Sequence, residues 1–210
     1  MKYNLPKPYL SYSAFSLWLK DKDAFRRRYY ENEAPFETVE TIFGKTIHEK
    51  LEADGEVIGS ETRIEIYLTP DLKLLGYIDS FNEEDLGIID FKTGHLDPKG
   101  NPPWDRVKVQ KHKQLVFYSM LVLIKYGSYN PVVKLEWLET KFKKVSREFN
   151  GHTLTADSRE LELTGYKKIF TRRVFKWEIE KLKREIISVA REISRDFTHY
   201  ENKNKLQKRS

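Results

Sequence analysis

The chain contains no cysteine. Disulfides, zinc–thiolate sites and iron–sulfur clusters are therefore excluded, and the composition fits a reducing compartment. A long apolar run is missing too. The longest, over 120–124, falls far short of the roughly 20 residues that span a bilayer. The N-terminus, Met1-Lys2-Tyr3-Asn4-Leu5-Pro6, has no apolar h-region. No signal peptide and no membrane partner are expected, and a cytoplasmic, intracellular location is. No internal repeat and no linker composition appears. One domain over 1–200 is expected, followed by a basic, disordered tail over 201–210. What is present is ordinary for a globular protein: 210 residues, 39% hydrophobic and 33% charged, enough for one real core. The net charge of +6 mildly favours a polyanionic partner, although many soluble proteins are this basic.

One stretch breaks the ordinary pattern. Leu75-Gly76-Tyr77-Ile78-Asp79 and Ile88-Ile89-Asp90-Phe91-Lys92-Thr93-Gly94 read as two strands joined through an acidic turn, Asn82-Glu83-Glu84-Asp85. The second strand is apolar until it carries Asp90 and Lys92. Period-2 geometry puts these two on one face, with Phe91 on the other. An acid and a lysine at the end of a buried strand are costly unless they bind something. A divalent metal beside an anionic substrate would offset that cost, so a metal-dependent nuclease is the expectation.

Around this stretch the chain reads as follows. Ser11-Tyr12-Ser13 and the apolar spacing after it predict a helix over 13–30. Arg26, Arg27 and Arg28 near its end either sit favourably at the negative end of the helix dipole or contact phosphates beside their aromatic neighbours. A second helix is predicted over 36–53, with Gly44 and His48 on one face. A glycine tolerated there points to close approach of that face to another backbone. A lone helical histidine is, by itself, more often structural than a ligand. A strand over 61–68 and the two strands of the central stretch make a three-stranded antiparallel meander. The Pro- and Gly-containing loop over 94–106 has the length of a mobile flap.

A third helix is predicted over 109–126, with Leu115, Tyr118, Val122 and Tyr126 on or near one stripe. Gln110, Gln114 and Tyr118 follow one another at i, i+4. Lys108, Lys111, His112 and Lys113 crowd its start, against the dipole. An anionic ligand would relieve them, and a solvated basic surface is the plain reading. A strand follows over 132–140, less regular ones over 143–149 and 159–163, and a final helix from Tyr166 or Thr171 to about 197. Its stripe is Phe175, Ile179, Leu182, Ile186, Val189 and Ile193.

Five pieces, in order, resemble the RecB-like and Cas4-like branch of the PD-(D/E)XK nuclease superfamily. Ser11-Tyr12-Ser13 through Phe25 and Tyr29 is similar to its N-terminal helix signature. Gly44 to His48 resembles its Gly-x-x-x-His motif, and Gly76 to Asp79 its Gly-x-x-Asp motif. Asp90-Phe91-Lys92-Thr93-Gly94 resembles its Asp-x-Lys-Thr-Gly signature, and Gln114 to Tyr118 its Gln-x-x-x-Tyr motif. The resemblance implies an α/β, restriction-endonuclease-like αβββαβ core, its mixed central sheet flanked by helices, plus the long C-terminal helix. It implies catalytic Asp79, Asp90, Lys92, Gln114 and Tyr118. Mg²⁺ or Mn²⁺ would be held by His48, Asp79, Asp90 and the Phe91 carbonyl. Relatives with four cysteines hold an iron–sulfur cluster; this chain has no such residues, and Asp21 stands near where the first would fall. Residues 141–165 and the last helix match no motif.

The expected partner is DNA, contacted by Arg26, Arg27, Arg28, Lys111 and Lys113. The expected activity is exonucleolytic, on single strands or DNA ends, in recombination and repair, CRISPR adaptation or phage DNA processing. Protein partners from a recombination or CRISPR complex are compatible. The competing expectation is a DNA-binding accessory subunit with a vestigial or regulated site. An RNA nuclease would share the same residues.

Overall fold

Ser11 sets up the first part of the structure in two ways. Its backbone ends β1 (Leu10–Ser11), which runs parallel to β3 (Leu72–Ile78) through Leu10↔Leu74 and Ser11↔Leu75. Its Oγ accepts the Ala14 N–H at 3.2 Å and so caps α1 (Tyr12–Lys20). This computed structural model describes residues 2–34, 38–39, 42–44, 46–47, 61–149 and 152–207. The single helix expected over 13–30 is two helices. Asp21 adopts extended backbone (φ −157°, ψ 100°) and closes α1 with its N–H on the Leu17 carbonyl. Its carboxylate then accepts the Ala24 N–H at 2.9 Å and opens α2 (Lys22–Tyr29). A short acidic side chain that bonds nearby backbone competes with helix continuation. Phe15, Trp18 and Phe25 are all buried regardless, so the apolar pattern gave no sign of the break.

β2 (Thr62–Thr69) forms an antiparallel hairpin with β3, completing a sheet of order β1-β3-β2. A second sheet has the order β4-β5-β6-β7, from β4 (Ser80–Asn82), β5 (Gly87–Gly94), β6 (Val132–Phe149) and β7 (His152–Arg173). β5 and β6 are parallel; the other pairs are antiparallel. The architecture is therefore mixed α/β, as expected. The three-stranded meander is not formed: the chain bends at Asp79 after β3, restarts as β4, and pairs β4 rather than β3 with β5.

The helix expected over 109–126 is also divided, into α3 (Arg106–Gln110) and α4 (Lys113–Tyr126). Asp105 caps α3 by accepting the Lys108 N–H at 2.7 Å, and His112 forms the junction. Gln110 and Gln114 thus lie on different helices. α4 is the centre of the fold. All eight residues from Leu115 to Val122 are buried, because β2, β3 and β5 pack against it on one side and the C-terminal helix on another. Its approach to β3 is close enough to require Gly76. A Cβ there would lie 2.4 Å from Leu121 Cδ1 and 3.3 Å from Phe117 Cε1, both in fully buried side chains. Gly76→Ala is expected to destabilise by about 1–3 kcal/mol, read as a lower urea midpoint at constant slope. Combined with Leu121→Ala, it should cost less than the two single losses added. A single-variant loss under about 0.5 kcal/mol, within the range of ordinary surface changes, would show that the spacing is not tight.

The C-terminal third departs most from expectation. β7 runs through Tyr166–Arg173, where a helix start was expected, and α5 (Lys176–Gln207) begins later. Phe170, Arg172 and Val174 are the inward positions of that strand end. A buried arginine in the middle of the alternation disguises it. Phe175, placed in the helix stripe by spacing, is exposed and precedes α5, whereas Ile179, Leu182, Ile186, Val189 and Ile193 are buried as expected. Residues 201–207, expected as a frayed tail, continue α5. Past Gly94, β6 and β7 extend together as a two-stranded ribbon, with ion pairs Lys141–Glu162 and Lys143–Glu160 across it. Among the described residues, no helix is long and apolar enough to cross a membrane.

Candidate active site

Asp79 sits in the bend between β3 and β4, and Asp90 in the middle of β5. At the bend after β3, the Asp79 carboxylate accepts the Phe91 N–H at 2.7 Å, which ties it to β5. Asp90 is fully buried on the face of β5 that carries Ile88. Lys92, two residues on, donates its Nζ to Asp90 Oδ1 at 2.9 Å. The period-2 expectation for this pair therefore holds. Phe91 points the other way and packs with Ile47 and Leu138, against partly buried Phe43. Residues 42–44 and 46–47 are helical, and a Cβ on Gly44 would sit 3.4 Å from Thr93 Oγ1. That helical face does lie against β5, as its glycine suggested. His48 lies outside the described residues.

The N-terminal part of α4 forms the opposite wall. Gln114 Nε2 donates to Tyr118 Oη at 2.6 Å. Burial, and then the charges of Asp90 and Asp79, raise the Tyr118 phenol far above its ordinary value, so it stays protonated. Tyr12, at the start of α1, is pushed up to about 12 by burial and then by Asp90 and Glu185. A cleft of about 540 Å³ leads away from this corner, lined by Asp79, Gln114, Tyr118, Glu61, Ser13 and Ser16, with Lys20 and Arg28 also in its wall.

The two carboxylates oppose each other's ionisation. Burial, followed by the charge of Asp90, pushes Asp79 up to about 7, against the pull of Lys92 and the Phe91 N–H. Burial works against Asp90 as well, but Lys92 and the His112 imidazole outweigh it and hold Asp90 below the usual carboxylate range. Two such oxygen donors, one made hard to ionise by burial and then by the charge of the other, suit a hard divalent cation, which would relieve both. Among the described residues, no group of three or more His, Asp or Glu side chains is close enough to hold a metal alone. Further ligands would have to come from backbone, water or residues outside that set.

The cations expected to touch nucleic acid are distributed unevenly. Arg26 forks onto Asp196 of α5 at 2.6 and 3.0 Å and also reaches Asp23 at 2.7 Å. Arg27 pairs with Glu33 at 3.3 Å. Arg28 lines the cleft. Lys113 holds Glu185 at 2.6 Å, and Lys111 lines a separate cavity of about 270 Å³ with Trp177 and Lys181. The crowded cations at the start of α4 thus meet protein partners in part. The 94–106 loop is tied down locally: Asp97 accepts the Lys99 and Asn101 N–H groups, and Trp104 sets its ring against His112 at 4.9 Å between centroids.

Two residues near the carboxylates were not singled out from sequence, Tyr12 and His112. His112 Nε2 lies 3.6 Å from Asp90 Oδ2. The signal available for His112 was its place among cations at a helix start, which reads as surface.

No curated protein matches the sequence. Among solved structures, a protein of Eubacterium rectale provisionally named an exonuclease is similar, with 9% identity, a TM-score of 0.51, and cover of 90% of this chain and 79% of its own. A likeness at that identity concerns the fold. The structure of SSO0001 is 14% identical over 86% of this chain and 76% of its own, with a TM-score of 0.42. A family model for the PD-(D/E)XK nuclease superfamily matches residues 9–204, nearly the whole chain and every element of the site, and the chain belongs to that superfamily.

Proposed function

We propose that this protein is a metal-dependent deoxyribonuclease of the RecB-like and Cas4-like kind, acting as an exonuclease on single-stranded DNA or DNA ends. One observation carries the reading: Asp79, from the bend after β3, is tied to the β5 segment that carries Asp90 and Lys92, and it lines a cleft. Nucleases of this superfamily generally depend on divalent metals. Mg²⁺ or Mn²⁺, held by Asp79, Asp90, the Phe91 carbonyl and His48, would neutralise charge on the scissile phosphate. The remaining work falls to the chain's own groups. Lys92, partly exposed beside Asp90, orients the attacking water or stabilises negative charge as it develops. Tyr118, kept neutral and buttressed by Gln114, offers a hydrogen bond at the edge of the site. Arg28 and Lys20 give the cleft a basic wall suited to the phosphates of a strand running out of it. Arg26, Arg27, Lys111 and Lys113 remain lesser candidates for that role, since three of them already hold carboxylates.

The test is direct. Labelled single- and double-stranded DNA is incubated with wild type and with Asp90→Ala, in Mg²⁺, Mn²⁺ or EDTA. Wild type is expected to shorten the labelled strands only with metal, and Asp90→Ala not at all. Equal degradation by both proteins would refute the catalytic assignment. Salt-dependent DNA binding with no cleavage by wild type would favour the accessory-subunit reading instead.

A further inference from the structure

We propose that His112 is the positioning residue of this site, holding Asp90 by a hydrogen bond from its Nε2 to Oδ2 and leaving Oδ1 to Lys92 and to the metal that Asp90 would hold. The inference rests on the reading that Asp90 is a metal ligand. Asp90 Oδ2 and His112 Nε2 are both buried, and neither has a hydrogen-bond partner among the described residues. They face each other at 3.6 Å. An orphaned buried acceptor is expensive, and so is an orphaned buried donor. A shift of about half an ångström brings the two within normal hydrogen-bond distance and satisfies both at once.

One ring contact and two features of the backbone hold His112 in place. Trp104 meets the ring edge-on, at 65° between planes. The backbone at His112 is extended (φ −75°, ψ 98°) between α3 and α4, which turns the side chain off the helix path and toward β5. Arg172, from the buried end of β7, donates Nη1 to the His112 carbonyl at 3.1 Å and is itself held by Glu178 of α5. Other roles fit less well. His112 does not cap α4, since its side chain makes no capping hydrogen bond. It is not a surface histidine, with its side chain only 16% exposed. Partners that orient a ligating group from behind typically matter 10- to 100-fold in metal affinity or activity.

The experiment compares wild type, His112→Leu and His112→Gln by calorimetric Mn²⁺ titration and by steady-state cleavage of single-stranded DNA. His112→Leu is expected to lower Mn²⁺ affinity and kcat each by about 10- to 100-fold, with KM for DNA unchanged. His112→Gln, whose amide nitrogen stands near the position of Nε2, is expected to restore most of both. If His112→Leu does not fold, His112→Asn, too short to reach Oδ2, carries the same expectations. Unchanged Mn²⁺ affinity and kcat in the apolar variant overturn the inference, as does a Gln variant no better than Leu. Wild type that binds no Mn²⁺ overturns the functional reading and the inference together. Wild type that binds Mn²⁺, with His112→Leu binding it equally well, overturns the inference alone.

Discussion

Asp79→Asn is expected to make the metal-free protein more stable at pH 8 while lowering DNA cleavage by about a hundred- to a thousandfold, the scale of losing a principal electrostatic contact in a transition state. The stability half follows from burial beside Asp90. The Asp79 carboxyl has an ordinary value of 3.8 and is pushed up to about 7 in the fold. Between those two pH values the unfolded chain has released the proton and the folded chain has not. The unfolded state therefore binds fewer protons, and stability falls as pH rises through that window. Above it the full penalty persists, on the order of 4 kcal/mol. Asparagine keeps an oxygen for the Phe91 N–H and carries no charge, so it removes the penalty. At this chain length a gain of that kind raises Tm by roughly 8–16 °C. Asp90 works in the opposite sense: its lowered value adds stability that is lost as pH falls through the acid range. Mg²⁺ or Mn²⁺ should stabilise wild type and leave Asp79→Asn almost unmoved. Thermal melts at pH 5 and pH 8, with and without Mn²⁺, measure all of this. An Asn variant less stable than wild type at pH 8 without metal would show that the carboxylate is not strained.

The second large effect is expected at Arg172, a residue far from any motif. Its guanidinium is almost fully buried, holds Glu178 across the β7–α5 corner, and reaches the His112 carbonyl. Arg172→Met keeps the length and removes the charge. The Glu178 carboxylate, itself mostly buried, loses its cation, and the carbonyl loses its donor. Breaking a buried pair from one side costs about 3–5 kcal/mol, so a large drop in urea midpoint is expected. The double variant Arg172→Met, Glu178→Leu should recover much of it, because no buried charge is then left alone. A single-variant loss below about 1 kcal/mol would show that the pair is not a structural anchor.

Much of the site was legible because its chemistry is written at short range. Asp90 and Lys92 share a face by period 2 alone, and their contact follows. Gln114 and Tyr118 are one helical turn apart, and their hydrogen bond follows. Gly44 within a predicted helix announced a close approach, and its helical turn lies against Thr93 of β5. The misread places share a cause. Asp21 ends a helix through a side-chain bond that no hydrophobic pattern records. Arg172 occupies an inward strand position that periodicity reserves for apolar residues, so the end of β7 looked like helix. Phe175 had helical spacing but lies ahead of α5, where Glu178 accepts its N–H instead.

By itself, the sequence determined the pairing of an acid and a lysine on one strand face, the mixed α/β class and the absence of any thiol chemistry. Each of these depends on residue identity and on spacing within one strand or one helix. Tertiary structure alone decided the rest. It cut the meander at Asp79, so that the carboxylate in the bend feels the charge of Asp90 on β5 and is harder to ionise. It committed Arg26 to Asp196 and left Arg28 on the cleft. It also carried His112 from a run of apparently solvated cations to the back of Asp90. Burial and long-range pairing are properties of where elements meet, and a local pattern holds no record of that.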